Sequence, residues 1–401
     1  MRLASRMQQL PPYLFLELDQ VISRERAAGR DIINLGIGDP DMPTIPSAVS
    51  AMHRAIENPL WHRYPDYHGD VAFRTAIAER YQSRFNVTLD PTSQVLGLVG
   101  SKEGLAHLTW AFAGPGDVVL VPDPAYPVYA AHANLVGATV HHMPLEARNG
   151  FLPNLNALSP ALLHQASMLW INYPNNPTGA TAPLEFYREA VALCQQYDIL
   201  LCSDLAYADI GFDGYQAPSV LMVEGADTVA VEFYSLSKTF NMTGWRIAAA
   251  VGAAPAIHAL GTLKSHIDSG PFTAIQYAAI AALSENPDPF IHEVNTVYAK
   301  RRAHAAEALE SMRLLADIPQ ASLYMWFHTP EGMSSASATK FFIEKAGVAL
   351  APGTGYGSYG EGWLRLSLTT PDSQLDEALR RMRVAIQGEE GQALTPEVGR
   401  V

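Results

Sequence analysis

Six short apolar segments lie between residues 94 and 251, and each is closed by polar or turn-forming residues. They run Gln94 to Val99, Asp117 to Val121, Ser167 to Asn172, Ile199 to Ser203, Val229 to Tyr234 and Arg246 to Val251. Helical patterns alternate with them, at Lys102 to Phe112, Pro183 to Tyr197, Pro255 to Ile267 and Phe272 to Leu283. Apolar strands that alternate with helices predict a mostly parallel sheet covered on both faces. Such sheets place their chemistry just beyond the carboxyl ends of the strands. Three strand ends therefore carry the functional argument.

The first is Ser235-Leu236-Ser237-Lys238, with Arg246 eight positions beyond the lysine. A lysine at a strand end can form a Schiff base with a carbonyl cofactor. The serines and Arg246 can hold a phosphate. Together they suggest pyridoxal phosphate (PLP), although the segment alone fits a solvated lysine equally well. The second is Asn172-Tyr173-Pro174-Asn175-Asn176-Pro177-Thr178-Gly179, a rigid turn that presents Asn176 above the sheet or has no role beyond turning. The third is Asp204 with Tyr207 three residues later. An aspartate there either caps a following helix or pairs with a pyridinium nitrogen. Asn176, Asp204 and Lys238 follow separate strands in that order, which turn and cap roles leave unexplained.

These segments resemble the class I/II, fold-type I, PLP-dependent aminotransferases. The resemblance runs from about Leu10 to about Ile386 and includes Gly36-Ile37-Gly38-Asp39-Pro40-Asp41, Gly100-Ser101-Lys102-Glu103-Gly104, Asp123-Pro124-Ala125-Tyr126-Pro127 and Pro352-Gly353 leading to Arg365. Pro11-Pro12-Tyr13-Leu14-Phe15, Ile267-Asp268-Ser269-Gly270 and Gly353-Thr354-Gly355-Tyr356-Gly357 look most like the LL-diaminopimelate aminotransferase branch. The family implies a large PLP-binding domain with a seven-stranded, mostly parallel sheet and a smaller α+β domain. The expected boundaries are 1–45 for an arm and part of the small domain, 46–288 for the large domain, 289–387 for the small one and 388–401 for a tail.

The resemblance also implies roles. Lys238 binds the cofactor and then moves a proton as base and acid, and two successive half-reactions give ping-pong kinetics. Asp204 holds the ring-nitrogen proton, Asn176 and Tyr207 bond the phenolic oxygen, and Tyr126 stacks on the ring. Ser101, Lys102, Ser235, Ser237 and Arg246 form the phosphate cradle at a helix N-terminus. Tyr64 reaches the phosphate of a neighbouring subunit, with Ser269 in a similar part, so a homodimer is expected. Arg365 grips the substrate carboxylate with Gly38 and Asn176 beside it, Ile37 forms a wall, and Tyr13 closes over the side chain. An LL-diaminopimelate-like or acidic donor with 2-oxoglutarate as acceptor is expected. An aspartate/alanine-type specificity, a β-lyase and a regulator without turnover are the alternatives. Ser203 and Leu205 beside Asp204, Ala125 before Tyr126, and Ala321-Ser322 depart from the family pattern, which leaves the donor open.

Composition excludes other classes. Net charge is −13, from 27 basic and 40 acidic residues, and nucleic acids and anionic membranes call for basic patches. Two cysteines, Cys194 and Cys202, fit a reducing, cytoplasmic setting rather than a disulfide framework. No apolar run reaches membrane-spanning length. No metal-ligand motif is singled out. Gly355-Tyr356-Gly357-Ser358-Tyr359-Gly360 fits a dinucleotide fingerprint, but a strand pattern follows it where a helix is needed. After Phe290 the pattern changes to a long helix to Met312, a strand at Leu323 to His328, a helix near Ala336 to Ala346, a strand at Trp363 to Leu368 and a last helix near Ser373 to Ile386.

Overall fold

The computed structural model describes residues 1–8, 10, 12–284 and 286–393. Pro11 of the Pro-Pro-Tyr segment and residues 394–401 of the expected tail lie outside the described residues. The strands, in chain order, are β1 (Ile33–Asn34), β2 (Val95–Leu98), β3 (Val118–Asp123), β4 (Thr139–Pro144), β5 (Ala166–Ile171), β6 (Leu200–Asp204), β7 (Ala230–Ser235), β8 (Ala248–Gly252), β9 (Tyr324–His328), β10 (Val348–Ala349), β11 (Ala351–Pro352) and β12 (Trp363–Ser367).

The chain divides into two compact units. The first comprises Met1–Pro11, Met42–Asn295 and Gln320–Ser322. Its seven-stranded sheet has the order β2-β8-β7-β6-β5-β3-β4. All neighbours are parallel except β8, which runs antiparallel to both β2 and β7. Alternate side chains feed opposite faces, as the period of two in a strand requires. Val119, Met168, Trp170, Cys202 and Phe233 pack into one core cluster. Val118, Leu120, Leu169, Ile171 and Leu201 pack into the other. Burial on both faces explains why these strands read as continuous apolar runs. The edge strand β4 carries His141 and His142 and is largely half-exposed or exposed, so it lacks that signal.

The second unit comprises Pro12–Asp41, Thr296–Pro319 and Leu323–Val401. It holds a three-stranded antiparallel sheet in the order β11-β12-β9. A two-residue parallel pairing joins β1 to β10. The basic residues Arg301 and Arg302 are buried. Arg301 donates to both oxygens of Asp41, at 2.7 and 2.9 Å, and to Asp372 at 2.7 Å. The last helix, expected to stop near Ile386, continues to Ala393; Glu, Gln and Ala are good helix formers that carry it past Gly388. Gly353 to Gly360 forms two 3-10 turns that lead into β12, so no α-helix follows the glycine-rich run. A Cβ on either Gly353 or Gly360 would collide with the other's carbonyl oxygen. Close backbone approach, not dinucleotide binding, accounts for these glycines.

Candidate active site

Sheet order brings the three predicted strand ends together. β5, β6 and β7 are adjacent and parallel, with Ile171 opposite Ser203 and Asp204 opposite Phe233. Their carboxyl ends therefore deliver the Asn176 turn, Asp204 and the Lys238 segment to one edge. The same register accounts for the phosphate-cradle candidates. Ala248 of β8 lies opposite both Leu98 of β2 and Ser235 of β7. The Gly100-Ser101-Lys102 turn, Ser235 and Arg246 thus meet at the same edge, although more than 100 positions separate the first from the last.

Each side chain is held by local bonds. Asn172 bridges two strand ends: its amide donates to the Asp204 carbonyl at 2.7 Å, and its Oδ1 accepts from the Asn176 N–H at 2.8 Å. Sequence reasoning placed Asn172 only in the turn; its coupling role needs the β5–β6 neighbourhood. Lys238 is half-buried on the single turn Leu236–Thr239. The Ser235 hydroxyl caps that turn by accepting from the Ser237 N–H at 3.2 Å. Both serines are buried. A hydroxyl that accepts can also donate, so capping and phosphate contact are compatible for Ser235.

Behind this turn lies a charge network with no sequence signal. Asp209 accepts from Arg80 at 2.8 Å, Tyr234 at 2.7 Å and Thr239 at 3.1 Å. It ties the turn after β6 to the turn that carries Lys238. Both Arg80 and Asp209 are buried. Asp209→Ala strands a buried guanidinium, and loss of stability on the order of 3–5 kcal/mol is expected in urea unfolding; a change under 1 kcal/mol would show the network to be idle.

At the cradle, Gly100 has φ of 77° and caps the Ser101–Phe112 helix. A Cβ at Gly100 would collide with the Arg246 guanidinium. The glycine thus admits that cation to within contact of a helix N-terminus, where backbone N–H groups already favour an anion. Arg246 Nη1 donates to the Thr243 carbonyl at 2.8 Å. The Lys102 ammonium lies 5.9 Å from the Tyr126 ring centroid. Tyr126 sits at the start of the Val128–Val136 helix and is half-buried, and Tyr207 is buried in the turn after β6.

Asp204 is 5% exposed, and no helix follows it directly. Its Oδ2 accepts from the Tyr129 hydroxyl at 2.7 Å, whereas its buried Oδ1 has no hydrogen-bond partner among the described residues. Burial raises the carboxyl to about 6 against the pull of Tyr129 and the Ala206 N–H. A buried acceptor without a donor carries a desolvation cost, and a protonated ring nitrogen is the kind of donor that relieves it. The donor set therefore fits PLP: an amine, a buried carboxylate, a phenol and amide pair, and a phosphate cradle.

Tyr64 is 88% exposed on a loop. Ser269 is half-buried next to Asp268, which bonds the Gly270 N–H at 2.8 Å and the buried Lys264 at 2.7 Å.

Of the substrate-binding candidates, the second unit holds Arg365, Gly38, Ile37 and Tyr13, and the first holds Asn176. Arg365 on β12 is fully buried. Its Nη2 donates to the Gly36 carbonyl at 2.6 Å. Its guanidinium lies 3.9, 5.0 and 5.3 Å from the ring centroids of Tyr324, Tyr356 and Phe15. This aromatic box, which sequence reasoning missed, holds the fork in one orientation. A Cβ on Gly38 would collide with the Tyr324 hydroxyl, so Gly38 permits the box. The half-buried Ile37 is fixed through its carbonyl, which accepts from Thr369 at 3.1 Å. Tyr13 is 37% exposed and packs edge-on against Phe15 at 5.5 Å. Among the described residues, Glu103, His107 and Asp268 are grouped closely enough to hold a metal, but the Lys264 ammonium bonds both carboxylates at 2.7 Å and supplies the positive charge itself.

A fold-type I sheet with these strand ends defines a transferase of the aminotransferase type. The model of the family "Aminotransferase class I and II" matches residues 30–382, and the chain belongs to that family. LL-diaminopimelate aminotransferase of Dehalococcoides mccartyi strain 195 is 48% identical over 95% of this chain and 98% of its own length. The enzyme of the same name from Desulforudis audaxviator is 49% identical over 95% of this chain and 97% of its own. The substrate-bound BacF structure from Bacillus subtilis superposes with a TM-score of 0.93 at 35% identity, covering 96% of this chain and 98% of that one. Aspartate aminotransferase from Thermus thermophilus with maleate gives a TM-score of 0.89 at 29% identity, covering 96% and 100%. Among the described residues no helix is long and apolar enough to cross a membrane.

Proposed function

We propose that this aminotransferase uses PLP held on Lys238 to move an amino group from LL-diaminopimelate or a related acidic amino acid to 2-oxoglutarate. The observation that carries the cofactor reading is the buried Asp204 oxygen without a donor, beside Asn176 and Lys238 at adjacent strand ends. The relatives' shared name supports the donor.

PLP supplies an electron sink for charge developed on the substrate α-carbon. Lys238 anchors the cofactor, then takes the α-proton as base and returns a proton as acid. Asp204 keeps the ring nitrogen protonated through a charge-assisted bond. Asn176 and Tyr207 donate to the phenolic oxygen, and Tyr126 covers the ring face. Ser101, Lys102, Ser235, Ser237 and Arg246 hold the phosphate. Arg365 takes the α-carboxylate in a bidentate fork and so orients the bond to be broken. Gly38, Ile37 and Tyr13 complete that pocket.

The working unit is proposed to be a cytoplasmic homodimer in which Tyr64 and Ser269 serve the neighbouring subunit. Exposure of Tyr64 in the single chain fits this role. Tyr64→Phe should weaken PLP binding several-fold without changing the mass by light scattering, if one phosphate bond worth about 1–2 kcal/mol is lost; an unchanged affinity would remove Tyr64 from the site.

Purified protein mixed with PLP should absorb visible light. Single-turnover addition of LL-diaminopimelate should bleach the band, and 2-oxoglutarate should restore it with glutamate formed in equal amount. Bleaching only by aspartate would favour the specificity named for the Thermus neighbour. Pyruvate and ammonia would show a β-lyase. Arg365→Lys loses the planar fork, and kcat/KM for a carboxylate-bearing donor should fall ~10–100-fold, mostly through KM.

A further inference from the structure

We infer that Tyr129 is a positioning residue for Asp204: its hydroxyl occupies one carboxylate oxygen so that the other is aimed at, and left available for, the protonated ring nitrogen of PLP. This rests on the reading that the ring nitrogen lies against Asp204.

The geometry follows from strand alternation. Asp204 lies two residues beyond Cys202, so both point to the same face of the sheet. The Val128–Val136 helix lies over that face, and its Tyr129 joins the core cluster of Trp170, Cys202 and Phe233. The Tyr129 ring stacks on Trp170 with centroids 4.9 Å apart and planes at 14°. Trp170 in turn lies against Phe233 at 6.0 Å and 28°. Tyr126 meets Tyr129 edge-on at 6.0 Å. Trp170, backed by Phe233, and Tyr126 thus fix the ring, and the ring fixes its hydroxyl 2.7 Å from Asp204 Oδ2.

The two carboxylate oxygens consequently differ. Among the described residues Oδ2 has a side-chain donor, and Oδ1 has none. Burial, and then the nearby Asp204 carboxylate, push the Tyr129 phenol far above its usual range. The hydroxyl therefore keeps its proton and stays a donor. Without it, both oxygens would lack a side-chain donor, and the carboxyl would more readily keep a proton than stay anionic toward the ring.

The test is cofactor affinity of the full-length apo protein for PLP and for its 1-deaza analogue, whose ring nitrogen is replaced by C–H. Tyr129→Phe keeps the stack on Trp170 but strips Asp204 Oδ2 of its side-chain donor, so the apo variant should melt a few degrees lower, still in one cooperative transition. Its PLP affinity should fall on the order of tenfold, the worth of a bond to a charged group. Its affinity for the analogue should not change, and the Asp204→Asn background should erase the difference. Equal loss for both ligands, or no loss, overturns the inference, because a merely structural tyrosine cannot sense the ring nitrogen. If parent protein binds PLP and the analogue equally, the placement of the ring nitrogen fails and the inference with it. Should the variant not fold, the parent protein labelled with ζ-¹³C tyrosine gives the answer. One buried tyrosine signal should move with PLP and stay still with the analogue, and absence of such a signal overturns the inference.

Discussion

Lys238→Ala protein should show no visible absorbance when PLP is added, and turnover should fall at least ~10⁴-fold. On the proposed reading two roles disappear together: the covalent hold on the cofactor and the base that moves the α-proton. Packing should survive, because Lys238 is half-buried on a single turn whose cap comes from Ser235 and whose brace comes from Thr239 and Asp209. Melting of the variant should therefore track the parent, and the loss is chemical rather than structural. Added methylamine should restore a small part of the rate, since an exogenous amine can replace the base but not its positioning. Near-parental turnover in the variant would remove Lys238 from the mechanism.

Asp204→Asn should lower kcat about 10²–10³-fold, the loss seen when one preorganised electrostatic partner is removed. An asparagine can still accept from Tyr129 but cannot hold a proton on the ring nitrogen. The same substitution should make the apo protein more stable at pH 7. Burial lifts the Asp204 carboxyl in the folded chain to about 6, above the unfolded value of 3.8. Folding is then favoured below pH 4, where both states are protonated, and that advantage is lost as pH rises through 6. The neutral amide avoids the loss, which is on the order of 2–3 kcal/mol for a shift of this size. Melting of apo wild type and variant should diverge between pH 4 and pH 7 and converge again toward pH 4. Parallel curves across that range would show that Asp204 does not carry a buried charge.

The two expectations connect function to stability. If PLP relieves the cost of the buried Asp204 carboxylate, as proposed, it should raise the melting temperature of the parent more than that of Asp204→Asn. Binding that favours the folded state stabilises it by mass action.

Much of this was legible in the residues. The sheet could be read because its central strands are buried on both faces and so appear as unbroken apolar runs. Asn176, Asp204 and Lys238 could be singled out as candidates because they follow separate apolar runs in order, although each alone also fits a turn, cap or solvated role. β4 could not be read, since an edge strand with His141 and His142 lacks the apolar run. Nor could Tyr129, which in a helical pattern looks like any core aromatic. The last helix, expected to stop near Ile386, runs on through Gly388 to Ala393 because helix-forming neighbours carry it past the glycine.

What the sequence alone determined is the order of strand ends and the chemical group at each, because hydrophobic period and residue type are local properties. Only the tertiary structure decided which ends are neighbours. Placing β8 between β2 and β7 sets Arg246 beside Gly100 and Ser235, and placing β6 between β5 and β7 lets Asn172 join Asp204 to Asn176. It also decided that Tyr129 would take one oxygen of Asp204, and that Tyr324 and Tyr356 would pack around Arg365. Most of those pairings span tens to hundreds of residues. They depend on strand order and on close packing of the two sheet faces, neither of which is carried by any local stretch of chain.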